Sequence, residues 1–288
     1  MANDINAATA LIQDSIESLK PLTAPLSIFT QNYSSEVKGT DETILVPVIT
    51  DGDATERKTT DAVDYFAEAN GSTKTVKIEL KSIRRSIAFT EREAALLSDA
   101  GLAKHGTELI KSVMVQTRRK ALSALAATTK TVNVKTADEL VYQDFVKLKL
   151  ECSKSRIPAI ESALFQSPES VAKTLLIEEF SKMYGLSLAQ AQNGAISSIL
   201  GFASYEVDSI SADTFAIAAH NSALALAARA SSVPTADWEQ TLLTPDGMPV
   251  TLRMVSDASK AQRVLVAEVL FGATLIEDRA VKLLTTTA

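Results

Sequence analysis

Apolar and charged positions alternate at Val76, Ile78 and Leu80, which stand among Lys77, Glu79 and Lys81. A period of two is that of a half-exposed strand, and Ile83, Ile87 and Phe89 extend it. Residues 42–51 (ETILVPVITD) read as a second strand, which Pro47 restricts to an edge or a bulge. Between them lies a polar stretch, 51–75, rich in Asp, Thr and Gly, with Asn70-Gly71 as a turn signal. Two strands flanking such a stretch predict a long protruding hairpin. It cannot bury both faces within its own subunit, so it needs a neighbour.

The period then changes to that of helices. Thr90 and Glu93 have the capping-box spacing for a short helix, EREAALLS. Ser98 or Asp99 opens the longest helical stretch, 99–128, with Leu102, Leu109, Ile110, Val113, Met114, Ala121, Leu122 and Leu125 at helical spacing. At 1.5 Å per residue it spans about 40 Å and resembles a strut. Thr136 and Glu139 repeat the capping spacing for a helix to about Lys154, which Arg156-Ile157-Pro158 breaks. Residues 163–165 form a short apolar strand. Ser167-Pro168-Glu169 starts a helix that runs to Gly185, with a shorter one over 186–193.

Strands are predicted over 199–207 and 214–218, the second leading into a helix over 220–230. A hairpin follows across 242–255, turning at Pro245-Asp246-Gly247. The chain ends on strands at 264–269, 271–276 and 280–284. At its start, residues 2–20 are helix-compatible, and Pro21 and Pro25 then direct an extended path. This first segment of about 40 residues reads as an arm short of core material. The order is α+β, without the βαβ series of a nucleotide fold.

Composition narrows the function. With 46% hydrophobic and 22% charged residues the balance is that of a globular chain. No apolar run reaches the roughly 20 residues that span a bilayer. Asn3, Asp4, Gln13, Asp14 and Glu17 interrupt any signal-peptide pattern. Cys152 is the only cysteine, which excludes an intrachain disulfide and suits a buried, inert thiol. A net charge of −6 argues against a dedicated nucleic-acid binder, though not against a wall around packed DNA.

Catalytic chemistry is sparse. His105 on the long helix and His220 at a strand–helix junction are the only histidines, and neither stands in an HxxxH or HExxH pair. Neither GxSxG, GxGxxG nor GxxxxGK[ST] occurs. Glu178-Glu179 is an adjacent pair whose side chains point about 100° apart on a helix, as on a solvated surface. Arg84-Arg85 and Arg118-Arg119-Lys120 are basic clusters suited to acidic patches on neighbouring subunits, to nucleic acid, or to solvent. Trp238 fits either an interface anchor or a core plug. No catalytic, cofactor-binding or metal-ligating residues are therefore assigned, no cofactor is expected, and the chain reads as a non-enzyme.

The order of elements resembles the coat fold of tailed-bacteriophage major capsid proteins, shared with encapsulin nanocompartments and the herpesvirus capsid floor. The resemblance rests on RIPAIESALFQSPESVAKTL (156–175), GAISSILGFASYEVD (194–208), ADTFAIAAHNSALALAARA (212–230) and above all LVAEVLFGATLIEDRAVKLLT (265–285). It implies an N-terminal arm (1–40), an extended loop (41–80) and a peripheral domain (81–155) with a spine helix (99–128). An axial domain (156–255) and return strands of the peripheral domain (256–288) complete it.

The resemblance also implies a protein that self-assembles into hexamers and pentamers, forming an icosahedral head shell around packaged double-stranded DNA. Expected partners are other copies of itself, a portal and decoration proteins. Some members carry an N-terminal scaffolding segment; the short arm here leaves no room for one, so a separate scaffolding protein is expected. Some members crosslink through a loop lysine and an asparagine. Lys58 and Lys74 lie in or near the loop, but no partner asparagine is singled out, and crosslinking is not expected. No membrane is involved, and the location implied is the virion, after assembly in the host cytoplasm. The alternatives are an encapsulin-type shell around a cargo enzyme and, from another class, a soluble hydrolase using one histidine with a serine and an acid.

Overall fold

The computed structural model describes residues 19–36, 42–50, 72–96, 98–134, 140–155, 157–183, 198–208, 210–211, 213–231, 236–257 and 259–286, with Ile12, Gln13 and Ile16 of the arm. The extended-loop tip (51–71), the Thr136/Glu139 capping box and the helix expected over 186–193 lie outside these residues.

Helix α1 is a single turn, Lys20–Thr23, with Pro21 in its first turn, where the missing N–H costs nothing. The extended path expected at Pro21 therefore begins later. Strand β1 (Gln31–Asn32) follows. The hairpin forms as predicted: β2 (Thr43–Thr50) pairs antiparallel with β3 (Ser72–Glu79), Thr43 opposite Glu79 and Thr50 opposite Ser72. The strand expected to run on through Phe89 instead breaks at Leu80. Its second half is a separate strand, β4 (Lys81–Thr90), in another sheet.

The caps predicted at Thr90 and Ser98 hold. Glu93 accepts the Thr90 N–H (2.9 Å) and Thr90 Oγ1 accepts that of Glu93 (3.2 Å), starting α2 (Glu91–Leu96). Ser98 Oγ accepts the Gly101 N–H (3.2 Å) at the start of α3 (Asp99–Leu125). One face of α3, from Leu109 to Leu125, is fully buried, while Lys104, Glu108 and Lys111 face solvent.

Strand β5 (Thr131–Val134) leads to α4 (Tyr142–Lys154), where Asp144 reaches back to accept the Val141 N–H at 3.3 Å. Next come β6 (Ser162–Gln166) and α5 (Pro168–Leu175), with Ser167 Oγ accepting the Ser170 N–H (3.1 Å) as its cap. The helix expected to reach Gly185 breaks at Leu176-Ile177 and resumes as α6 (Glu178–Met183).

The strand expected over 199–207 is a tight hairpin, β7 (Ser198–Ile199) and β8 (Phe202–Glu206). Leu200 and Gly201 form its two-residue turn with φ of 50° and 93°, the left-handed pair that matches strand twist. Strand β9 (Thr214–His220) is followed by a second strand, β10 (Leu224–Arg229). The expected helix over 220–230 is therefore wrong. Leu224, Leu226 and Ala228 face the main core while Ala225 and Ala227 face the hairpin, so both strand faces are covered and alanine's helix preference is overridden. β11 (Trp238–Leu243), β12 (Pro249–Asp257), β13 (Gln262–Leu275) and β14 (Val281–Thr286) complete the chain. β13 fuses the two strands expected at 264–269 and 271–276.

Among the described residues, two six-stranded sheets form. The first runs β1-β10-β13-β12-β11, with β4 on the other edge of β13, and α3 packs against β13 and β4. The second runs β5-β14-β9-β6-β8-β7, with α4 against it. Sheet membership thus divides the chain differently from the expected 156–255 and 256–288. Strands within 224–255 join the sheet of the long helix, and the final strand joins the other. Hydrogen-bond registers decide this: β10 pairs with β13, and β14 pairs with β9 and β5.

The arm also differs from expectation. Ile12, Ile16, Leu19, Leu26 and Phe29 are all buried in the same core as α3 and the first sheet. A Cβ on Gly106 would lie 2.7 Å from Ile12 Cδ1, so the bare turn of α3 seats the arm closely.

Candidate functional site: assembly surfaces

The hairpin has two unlike faces. Ile44, Val46, Ile78 and Leu80 are buried against Ala225 and Ala227, on the side of the first sheet away from the main core. Close approach is possible because β13 has Gly272 at the crossing. A Cβ there would meet Ile78 Cγ2 at 2.6 Å and the Glu79 carbonyl at 2.7 Å. Thr274 Oγ1 donates to the Lys77 carbonyl (3.2 Å) beside it. The opposite face is solvated, with Leu45 64% exposed. Lys74 is exposed on β3 opposite Val48, and Lys58 lies outside the described residues.

Other large apolar side chains are also uncovered. Val146 and Leu150 lie one turn apart on α4, and Ile160 (91% exposed) and Leu176 (84%) mark the ends of neighbouring segments. Uncovered apolar groups of this kind are candidates for contact with other molecules.

The basic clusters are engaged within the chain. Arg118 and Arg119 each donate to one oxygen of Asp208, at 2.7 and 2.8 Å, tying α3 to the end of β8. Burial pushes the Asp208 carboxyl up, and the two guanidiniums more than reverse this, leaving it below its usual value. Arg85 donates to Ser112 Oγ at 2.7 Å, and Arg84 is exposed opposite Glu268. Glu268 itself is buried, accepting from Arg253 and Ser82. Lys120 donates to the Phe271 carbonyl (2.5 Å); burial, then the charge of Lys81, pulls its amine below the usual lysine value, with Glu79 opposing. No sequence signal marked Asp208, about 90 residues from its partners.

The remaining candidates settle as packing or surface groups. His105 lies edge-on to Phe89, ring centroids 5.3 Å apart. Cys152 is buried, and burial pushes its thiol up to about 11. Glu178 and Glu179 are both exposed in the first turn of α6. Trp238, half-buried on β11, packs against the main core. His220 meets Ser222 Oγ at Nδ1 (2.8 Å) and Glu161 at Nε2 (3.2 Å). These are the residue types of a hydrolytic triad. The Ser222 backbone N–H also points at Nδ1 (3.3 Å) and its hydroxyl donates to Glu277 (3.4 Å). The histidine thus fastens the turn where the chain passes from the second sheet to the first. Among the described residues, no cluster of three or more metal-ligating side chains occurs and no helix is long and apolar enough to cross a membrane.

The sequence matches no family model and no curated protein. Solved structures do match. The capsid of the cyanophage P-SCSP1u superposes with a TM-score of 0.58 at 7% identity, over 87% of this chain and 85% of that one. The capsid of a native GTA particle gives 0.62 at 11% identity, over 93% and 91%. This is the tailed-phage capsid fold. A virus-like particle from Pyrococcus furiosus shares the capsid fold along 99% of this chain and 98% of its own, with a TM-score of 0.58 at 12% identity.

Proposed function

We propose that the chain is a major capsid protein, self-assembling into the hexamers and pentamers of an icosahedral head shell around packaged double-stranded DNA. The observation that carries this reading is the capsid fold along about nine-tenths of the chain, shared with shells named as capsids. In this reading the sheet backed by α3, with the hairpin, is the peripheral domain. The second sheet, with α4, α5 and α6, is the axial domain around the local symmetry axes. The hairpin lies over an adjacent subunit. Many modest contacts per subunit accumulate into a stable closed assembly. A separate scaffolding protein, a portal and decoration proteins are the expected partners, DNA is held without sequence reading, and the protein resides in the virion.

The test is assembly. Expressed with its scaffold or purified from virions, the protein should give particles tens of nanometres across in negative stain. A stable monomer or dimer under all such conditions overturns the reading. The likeness to the Pyrococcus virus-like particle fits a closed shell of either content, and the second reading is a shell around protein cargo. Particles that copurify with one enzyme and no DNA would select it.

A further inference from the structure

The arm does not close completely over the first sheet. Between its residues 26–34 and the β11–β12 turn lies a half-open pocket of about 130 Å³. Its floor is apolar: Leu26 and Phe29 of the arm, Leu226 and Ala228 of β10, Met248 and Phe271. All six belong to the main core, so the pocket opens straight onto it. An apolar cavity of roughly 150 Å³ holds one benzene ring. Met and Phe side chains suit such a ring, through sulfur contact and edge packing.

The rim is polar and mostly engaged. Ser27 Oγ donates to the Ala24 carbonyl at 2.8 Å. Ser34 Oγ donates to Asn32 Oδ1 (2.5 Å) and accepts the Ala228 N–H (2.9 Å). Asp246 differs. Among the described residues that line the pocket, it alone carries a charge. Its Oδ1 accepts from Thr244 Oγ1, and among the described residues no donor engages Oδ2. A half-buried carboxylate with one oxygen open, set at the mouth of an apolar hole, matches a cation on a short stem from a flat apolar group.

We propose that this pocket binds a small aromatic amine, with the ring on the floor and the ammonium on the open oxygen of Asp246. The ligand touches the arm on one wall and the β11–β12 turn on the other, so its binding pins the arm to the first sheet. A ligand that binds only the seated arm stabilises that arrangement. The site is independent of what the shell encloses.

Benzylamine is the probe, titrated calorimetrically into the full-length protein, both as unassembled subunits and as particles. Benzyl alcohol keeps the shape without the charge, and benzoate reverses the charge. Benzylamine should bind saturably at one site per chain, about fivefold or more tighter than benzyl alcohol, because the contact to Asp246 is charge-assisted. Benzoate should not bind. Asp246→Asn keeps the Oδ1 acceptor for Thr244 and should bring amine and alcohol within about twofold of each other. Ser27→Trp, at an exposed rim position, should abolish binding of both. Bound benzylamine should also slow proteolysis of the arm, and in Ser27→Trp it should not. Absence of saturable binding, equal affinity for amine and alcohol, or binding undiminished by Ser27→Trp overturns the proposal. So does binding by unassembled subunits that particles lack, which assigns the pocket to a side chain of a neighbouring copy.

Discussion

Two of the antiparallel hairpins, β11–β12 and β2–β3, are stabilised in opposite ways. The β11–β12 hairpin is woven into the first sheet through β13 and buries Leu242, Val250 and Leu252 in the main core. Its turn closes on itself: the Gly247 N–H reaches the Thr244 carbonyl (2.8 Å) and the Thr244 N–H that of Met248 (3.0 Å). The β2–β3 hairpin is a two-stranded sheet of its own, held to the rest of the chain chiefly through one apolar face. Two strands alone are marginal in water. One hairpin is therefore complete in the monomer, while the other is fixed at its base and left to find a partner with its remaining face.

Five substitutions break, sharpen or frame this contrast. The largest effect is expected from Ile78→Ala, which empties the sealed side of the long hairpin and should cost about 2–4 kcal/mol in denaturant unfolding. Leu45→Ala, on its open side, should leave monomer stability within about 0.5 kcal/mol and reduce particle yield. Equal stability losses from the two would end the distinction between the faces. Next, Gly272→Ala should cost about 1–3 kcal/mol, because the added methyl meets the backbone of Glu79. Protease cleavage within 51–71 should accelerate if the hairpin base is pried loose.

Gly247→Ala, in the short hairpin, should cost about 1 kcal/mol. The site is open but its φ of +78° disfavours a side chain. Thermal melts should read this loss, while protease cleavage within 51–71 should be unchanged. The smallest effect concerns the helix behind both hairpins. Asp208 is held below its ordinary value of about 3.8. Its ion pairs therefore contribute fully above that pH and are lost as pH falls through the lower folded value. Asp208→Asn should flatten stability against pH in that acid window alone, without distinguishing the hairpins.

Much of this design was legible where local chemistry decides structure. The Thr90–Glu93 box, the Ser98 cap and the Ser167-Pro168 start all act within one helical turn, so spacing alone revealed them. The β2–β3 pair was legible from alternation and polarity. Legibility failed where a distant segment decides. The alanines at 225, 227 and 228 favour a helix by themselves and become a strand because the hairpin covers one face. Gly272 looks like any other glycine until Ile78 crosses it. The pairing of Asp208 with Arg118 and Arg119, and the burial of the arm through Ile12 and Ile16, are likewise settled by tertiary approach. Gly201 was a weak signal that could have been read, since Leu200-Gly201 between apolar runs fits a two-residue turn.

The path between the sheets has a consequence for engineering. The chain leaves the second sheet after His220 and returns to it at Val281, and these strands are antiparallel neighbours, with Val281 opposite Ala219. The departing and returning strands also touch, the Ile276 N–H donating to the Ala223 carbonyl at 2.9 Å. Everything from 224 to 275 is thus an excursion whose two ends meet. A short turn joining 220 to 281 would close the gap, giving a gene fragment that begins near Lys130 and carries every strand of the second sheet. That layer could then be produced, labelled or exchanged between shells as a cassette.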